Sequence, residues 1–152
     1  MCFACCLTGF AFSAHGMYIR VMITRAVPKK RLEASGVTIV YLFGSRAEGK
    51  ASASSDIDIG VVFKREPRDE EVARLYAETY DIFTDLFPNC TVDIVFLQKT
   101  NLELRFDAVS HGEVLFETSE EHRLTFEEDS MLMYADFKPL LDEFDKSILE
   151  RI

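Results

Sequence analysis

Asp56 and Asp58 open the apolar run IDIGVVF, and a Gly-Ser pair, Gly44-Ser45, ends the preceding apolar run ten residues earlier. On an extended strand, side chains two apart leave the same face, so the two carboxylates sit side by side. Like charges at that separation do not both stay ionised without a counter-charge, and a hard divalent cation, Mg²⁺ above all, supplies it through oxygen ligands. A third acid, Asp93 in VDIVF, joins them if its strand pairs beside theirs. Three such donors can hold two metal ions about 4 Å apart, the arrangement that clamps the attacking and leaving oxygens of an in-line phosphoryl displacement.

Gly44 and Ser45 add the complementary half. A glycine at a strand-to-helix turn lets backbone N–H groups approach an anion, a helix N-terminus favours phosphate, and the Ser45 hydroxyl can donate as well. Arg46 adds a charge able to reach a phosphate oxygen. Taken together these residues predict a site for a nucleoside triphosphate bound as its magnesium salt. The plainer alternatives are aspartates that merely follow a turn after SASS, and a solvated Arg46; the first leaves Asp93 and Gly44-Ser45 as coincidences.

The elements that must position these residues follow from pattern. Val37 to Phe43, Ile57 to Phe63 and Val92 to Leu97 read as strands, and the linker GSRAEGKASASS has the composition of a loop. Val72, Leu75, Tyr76, Thr79, Ile82, Phe83 and Leu86 keep helical spacing, with Asp69 as the expected N-cap and Pro88 as the stop. Leu102, Phe106 and Val109 form a second helical stripe ending at Gly112, and EVLFE is short enough for an edge strand. From about Glu120 the chain turns helical again, where Tyr134, Phe137, Leu141, Phe144 and Ile148 recur at steps of three and four. That stripe predicts core packing for the tail, or a strip that docks a partner helix, and Pro139 is expected to start or kink the last segment. The expected organisation is a leader over 1–36, a core over 37–118 and a helical extension over 119–152 of the same domain. The fold class is α/β (α+β), a small mixed sheet flanked by helices.

Charge and cysteines narrow the function. The chain has 152 residues with 17 Lys+Arg against 26 Asp+Glu, a net charge of −9, which excludes a general phosphate-tracking surface for nucleic acid. Cys2, Cys5 and Cys6 crowd the N-terminus without a second Cys/His pair at finger spacing, so neither a disulfide framework nor a zinc site is expected. A reducing cytoplasm fits that usage. Phe3 to Phe12 is too short to span a bilayer. Met1 to Arg25 shows no clean period and reads as a loose leader, or as the product of a start set too early, with Met17 or Met22 as the working start. His15, His111 and His122 lack ligand spacing and read as structural or exposed.

The combination of Gly44-Ser45, Asp56-x-Asp58, Asp93 in VDIVF and the form LFGSRAEG resembles the nucleotidyltransferase superfamily related to DNA polymerase β, and within it the minimal nucleotidyltransferases (MNT), many of them antitoxins paired with a HEPN-domain toxin. The resemblance covers about Val37 to Glu117 and, more loosely, the tail. It implies the nucleotidyltransferase fold and transfer of AMP from ATP to a hydroxyl, in the antitoxin branch a tyrosine of the HEPN ribonuclease. It also implies that Gly44, Ser45 and Arg46 hold the nucleotide. By the same resemblance Asp56, Asp58 and Asp93 would bind two Mg²⁺ ions, and Asp93 would help deprotonate the acceptor. Glu48 stands where relatives often carry a second arginine, which weakens the expected phosphate grip. The helix relatives place ahead of the first strand is hidden here by Pro28. A transferase for small molecules and a non-catalytic antitoxin acting by binding alone are the alternatives; the short chain leaves little for a small-molecule acceptor pocket.

Overall fold

The computed structural model describes residues 26–44, 56–88 and 90–149. Strands β1 (Val37–Phe43), β2 (Ile57–Phe63), β3 (Val92–Phe96) and β4 (Glu113–Glu117) form one sheet in the order β3-β2-β1-β4. The sheet is mixed: β1 pairs antiparallel with β2 and β4, while β2 and β3 run parallel. Helices α1 (Lys29–Ala34), α2 (Asp69–Leu86), α3 (Leu102–His111) and α4 (Glu120–Leu149) complete the chain. EVLFE takes the edge position its length predicts.

Every residue of β1 is buried, because the central strand is covered on both faces. That is why its sequence, VTIVYLF, is apolar almost throughout and does not alternate. On one face Val40, Leu42, Ile57, Ile59, Val92 and Ile94 pack against Leu75, Ile82, Phe83 and Leu86 of α2 and Leu32 of α1. On the other, Ile39, Tyr41, Phe43 and Val62 pack against Leu97, Ala108 and Val109, and Phe126 of α4.

Two helix starts differ from expectation. The helix hidden from sequence reading ahead of β1 exists: α1 begins directly after Pro28, and Leu32 within it is fully buried. Proline is tolerated at a helix start because its missing N–H lacks an intrahelical partner there in any case. In α2 the N-cap is Arg68, with Asp69 the first helical residue. The cap is supplied from inside the helix, where Glu71 accepts from the Arg68 backbone N–H at 3.0 Å and holds Arg65 at 2.6 and 2.8 Å.

Helix α4 is one continuous element with Pro139 inside it, so Pro139 neither starts nor ends a segment. Its first half is tied down. The Tyr41 hydroxyl donates to Glu127 (3.0 Å), Thr38 Oγ1 meets His122 Nε2 (3.1 Å), and Arg123 donates to both Glu117 and Glu127. Arg105 of α3 donates to Ser130 Oγ (2.8 Å) and lies over the Phe126 ring, and Phe106 stacks on Tyr134 at 4.1 Å. Past Tyr134 the expected core packing fails at Phe137 and Phe144, 40% and 57% exposed, while Leu141 is half-buried; Leu140 beside it is 44% exposed. Among the described residues nothing lies beneath the continuation of this apolar stripe.

Candidate active site

The parallel ladder between β2 and β3 pairs Ile57 with Val92, Asp58 with Asp93 and Ile59 with Ile94. It is closed at both ends, by the Ile57 N–H donating to the Thr91 carbonyl (2.9 Å) and the Leu97 N–H donating to the Val61 carbonyl (3.0 Å). A slip of one residue would turn Ile57 and Ile59 out of the core, so burial fixes the register. Asp58 and Asp93 are therefore direct neighbours. Since their strand neighbours belong to the α2 side of the core, both point to the opposite face, the one carrying α3 and α4. Asp56 lies two residues before Asp58, just outside β2, and is exposed, as is Asp93; Asp58 is half-buried.

Gly44 closes this end of the sheet. It follows β1 with φ of +73°, in the left-handed region. A Cβ built there would lie 2.1 Å from Asp58 Oδ2. Glycine is thus required twice, for the backbone turn and for the carboxylate that occupies the space of its missing side chain. Ser45 and Arg46, the other expected nucleotide-binding residues, lie outside the described residues, as do Glu48, His15 and the N-terminal cysteines.

Sequence reading passed over Gly60. It is the next residue inward from Asp58 on the same face, and a Cβ there would lie 2.9 Å from Leu97 Cδ1. Leu97 fills the place and forms the apolar floor behind the acids. The available signal was a glycine inside an otherwise apolar strand, which marks close approach of another group.

Electrostatics follow from this placement. Burial first, then Asp93, then Asp56, pushes the Asp58 carboxyl above its ordinary value. None of these influences favours its charged form. Among the described residues the site offers carboxylates, which suit a hard, oxygen-seeking cation. Among the described residues no three such side chains already converge on one point. Asp56 and Asp93 are exposed, and of the two Asp93 bears more strongly on the charge of the half-buried Asp58. By its chemistry the donor set therefore fits a hard cation. His111, by contrast, is an exposed partner of Asp107 (3.0 Å), and His122 belongs to the α4 anchor.

A small mixed sheet presenting acids on the ends of two adjacent parallel strands, beside a glycine turn, defines a nucleotidyltransferase-type site. The chain belongs to the polymerase beta nucleotidyltransferase family, whose model matches residues 29–121. No curated protein gives a significant match. Among solved structures, a toxin-antitoxin with AMP-PNP is 21% identical, with 87% of this chain and 98% of that chain covered and a TM-score of 0.57. A mutant of the toxin-antitoxin MntA-HpeT is 25% identical, with 76% and 92% covered and a TM-score of 0.57. A protein from Shewanella oneidensis is 21% identical, with 76% and 90% covered and a TM-score of 0.52. Among the described residues no helix is long and apolar enough to cross a membrane.

Proposed function

We propose that this chain transfers AMP from ATP to a hydroxyl, and that the acceptor is a tyrosine of a HEPN ribonuclease toxin which it thereby silences, acting in the cytoplasm as the antitoxin of the pair. The observation that carries the reading is the pairing of Asp58 with Asp93 on one face, against the Gly44 turn. The partner is supported by the toxin-antitoxin pairs among the similar structures.

Asp56, Asp58 and Asp93 would hold Mg²⁺, which when bound neutralises phosphate charge and polarises the α-phosphate. Gly44, Ser45 and Arg46 would take the triphosphate. Asp93 lies on edge strand β3 and is exposed, so an acceptor can reach it from solvent. There it receives the hydroxyl proton as the acceptor oxygen bonds to the α-phosphorus and the bond from that phosphorus to pyrophosphate breaks.

The test is the intact mass of a HEPN toxin, taken from the reading frame beside this chain where one is encoded there, after incubation with it and Mg-ATP, with an Asp56→Asn, Asp58→Asn variant as control. A gain of one or more AMP units, lost in the variant, supports transfer. A complex that blocks the ribonuclease with no mass gain would overturn transfer and leave inhibition by binding alone.

A further inference from the structure

The exposed half of α4 is patterned. Phe126, Ser130, Met133, Phe137, Leu140 and Phe144 recur at alternating steps of four and three, which keeps one seam in line along a helix and fits the face of a partner helix. Phe126 and Ser130, at its start, are buried against the body; Met133, Phe137, Leu140 and Phe144 carry the same line into solvent. Along one edge of the seam Asp129, Asp136 and Glu143 recur every seven residues, all exposed. Along the other edge run Tyr134 and Leu141.

These edges decide the occupant. In an antiparallel pair of two copies of α4, the acidic edge of one faces the acidic edge of the other. In a parallel pair, it faces Tyr134 and Leu141, which would desolvate carboxylates against apolar groups. Neither arrangement suits a second copy. A helix with lysine or arginine beside its own apolar row suits both the seam and the acidic edge.

We propose that the seam from Met133 to Phe144 is the docking surface for a helix of the partner protein, with basic residues of that helix set against Asp129, Asp136 and Glu143. Identifying that partner with the HEPN toxin rests on the function proposed above; the surface and its chemistry do not.

The test uses the full chain and two designed amphipathic helical peptides with the same leucine row, one flanked by lysine and one by glutamate, with binding read by fluorescence anisotropy. The lysine peptide should bind at least ~10-fold more tightly than the glutamate peptide. Phe137→Asp with Phe144→Asp should abolish binding although it makes the protein more acidic. Asp136→Lys with Glu143→Lys should reverse the preference, whereas the same charge change at Glu70 and Glu103 should not. Equal binding of both peptides, binding indifferent to the phenylalanine changes, or reversal by the Glu70 and Glu103 control would overturn the proposal. So would a dimer of the chain alone, seen by sedimentation, that the phenylalanine changes dissociate. Circular dichroism melts establish that each variant folds. The mass assay of transfer is independent: its failure leaves the docking result standing, and the reverse holds.

Discussion

The carboxylate end of the sheet and the outer half of α4 are both places where an isolated chain carries residues that oppose its own folding, for opposite reasons. At the first, Asp58 is half-buried beside two like charges. At the second, Phe137, Leu140 and Phe144 lie in water. The two differ in what holds them. Asp58 and Asp93 are placed by a sheet whose register is fixed by burial on both sides, so these two are neighbours before any ligand arrives. The seam is placed by helical continuity beyond Tyr134, so it has a pattern and no surroundings among the described residues. The difference teaches that a small-ligand site is built into the core's register, whereas a partner site can be written on an element that leaves the core.

The sharpest way to break the comparison is Asp58→Asn. If the acids serve a ligand and not the fold, AMP transfer should fall about 10³-fold, roughly 4 kcal/mol in the barrier, as for loss of a principal electrostatic group. The melting temperature at neutral pH should hold or rise, because the amide removes a half-buried charge with unfavourable neighbours. A fall comparable to a core truncation would show that the carboxylate supports the fold instead.

Gly44→Ala should come next, with a loss of about 1–3 kcal/mol in denaturant unfolding from the left-handed backbone and the collision with Asp58 together. Gly36 is the built-in control. Its φ is +78°, yet a Cβ there meets nothing within 4 Å, so Gly36→Ala carries the backbone cost alone. The excess at Gly44 should shrink in an Asp58→Ala background, a coupling that a double-mutant cycle reads directly. Additive losses would mean the glycine serves only the turn.

A smaller effect tests the same carboxylate through pH. Because Asp58 titrates above its ordinary value of 3.8 in the folded chain, its contribution to stability is complete below that value and lost as pH rises through the folded one. Melting temperatures of wild type and Asp58→Asn should therefore converge in acid and separate, with the variant ahead, as pH rises. Mg²⁺ should narrow the gap. Glu71 has the opposite sign: the Arg65 hydrogen bonds hold it down to about 2, so its contribution is present above the ordinary 4.5 and lost as pH falls toward 2. Glu71→Gln should thus cost stability at neutral pH and none in strong acid.

How far each region was legible in sequence follows the same division. Gly44 at the end of β1 and the strands carrying Asp58 and Asp93 were readable because apolar runs mark strands and spacing along a strand dictates the face. The parallel pairing of β2 with β3 had to be assumed, since no residue in VDIVF states its neighbour. Gly60 was passed over because the group that needs its space, Leu97, is 37 residues away in sequence. Pro28 was read as an interruption where it stands at a start, a matter of one residue in the helix boundary. The stripe from Tyr134 to Ile148 was read as core, with docking of a partner helix as the alternative, because periodicity reports an apolar face and says nothing of what covers it.

Phe144→Ser has the smallest expected effect on the fold, and it separates the two regions most cleanly. A phenylalanine that packed against its own chain would cost about 3–5 kcal/mol on truncation, which is the expectation for fully buried Phe83→Ala. Phe144 is 57% exposed, so its loss should change unfolding free energy by no more than about 0.5 kcal/mol. Binding of the lysine-flanked peptide should nevertheless weaken clearly. A residue silent in folding and costly in binding is one whose surroundings belong to another molecule, just as Asp58, costly in catalysis and unhelpful in folding, belongs to its ligand. If Phe144→Ser instead destabilises the isolated chain as Phe83→Ala does, the outer half of α4 folds back on its own body in solution, and the contrast between the two regions is lost.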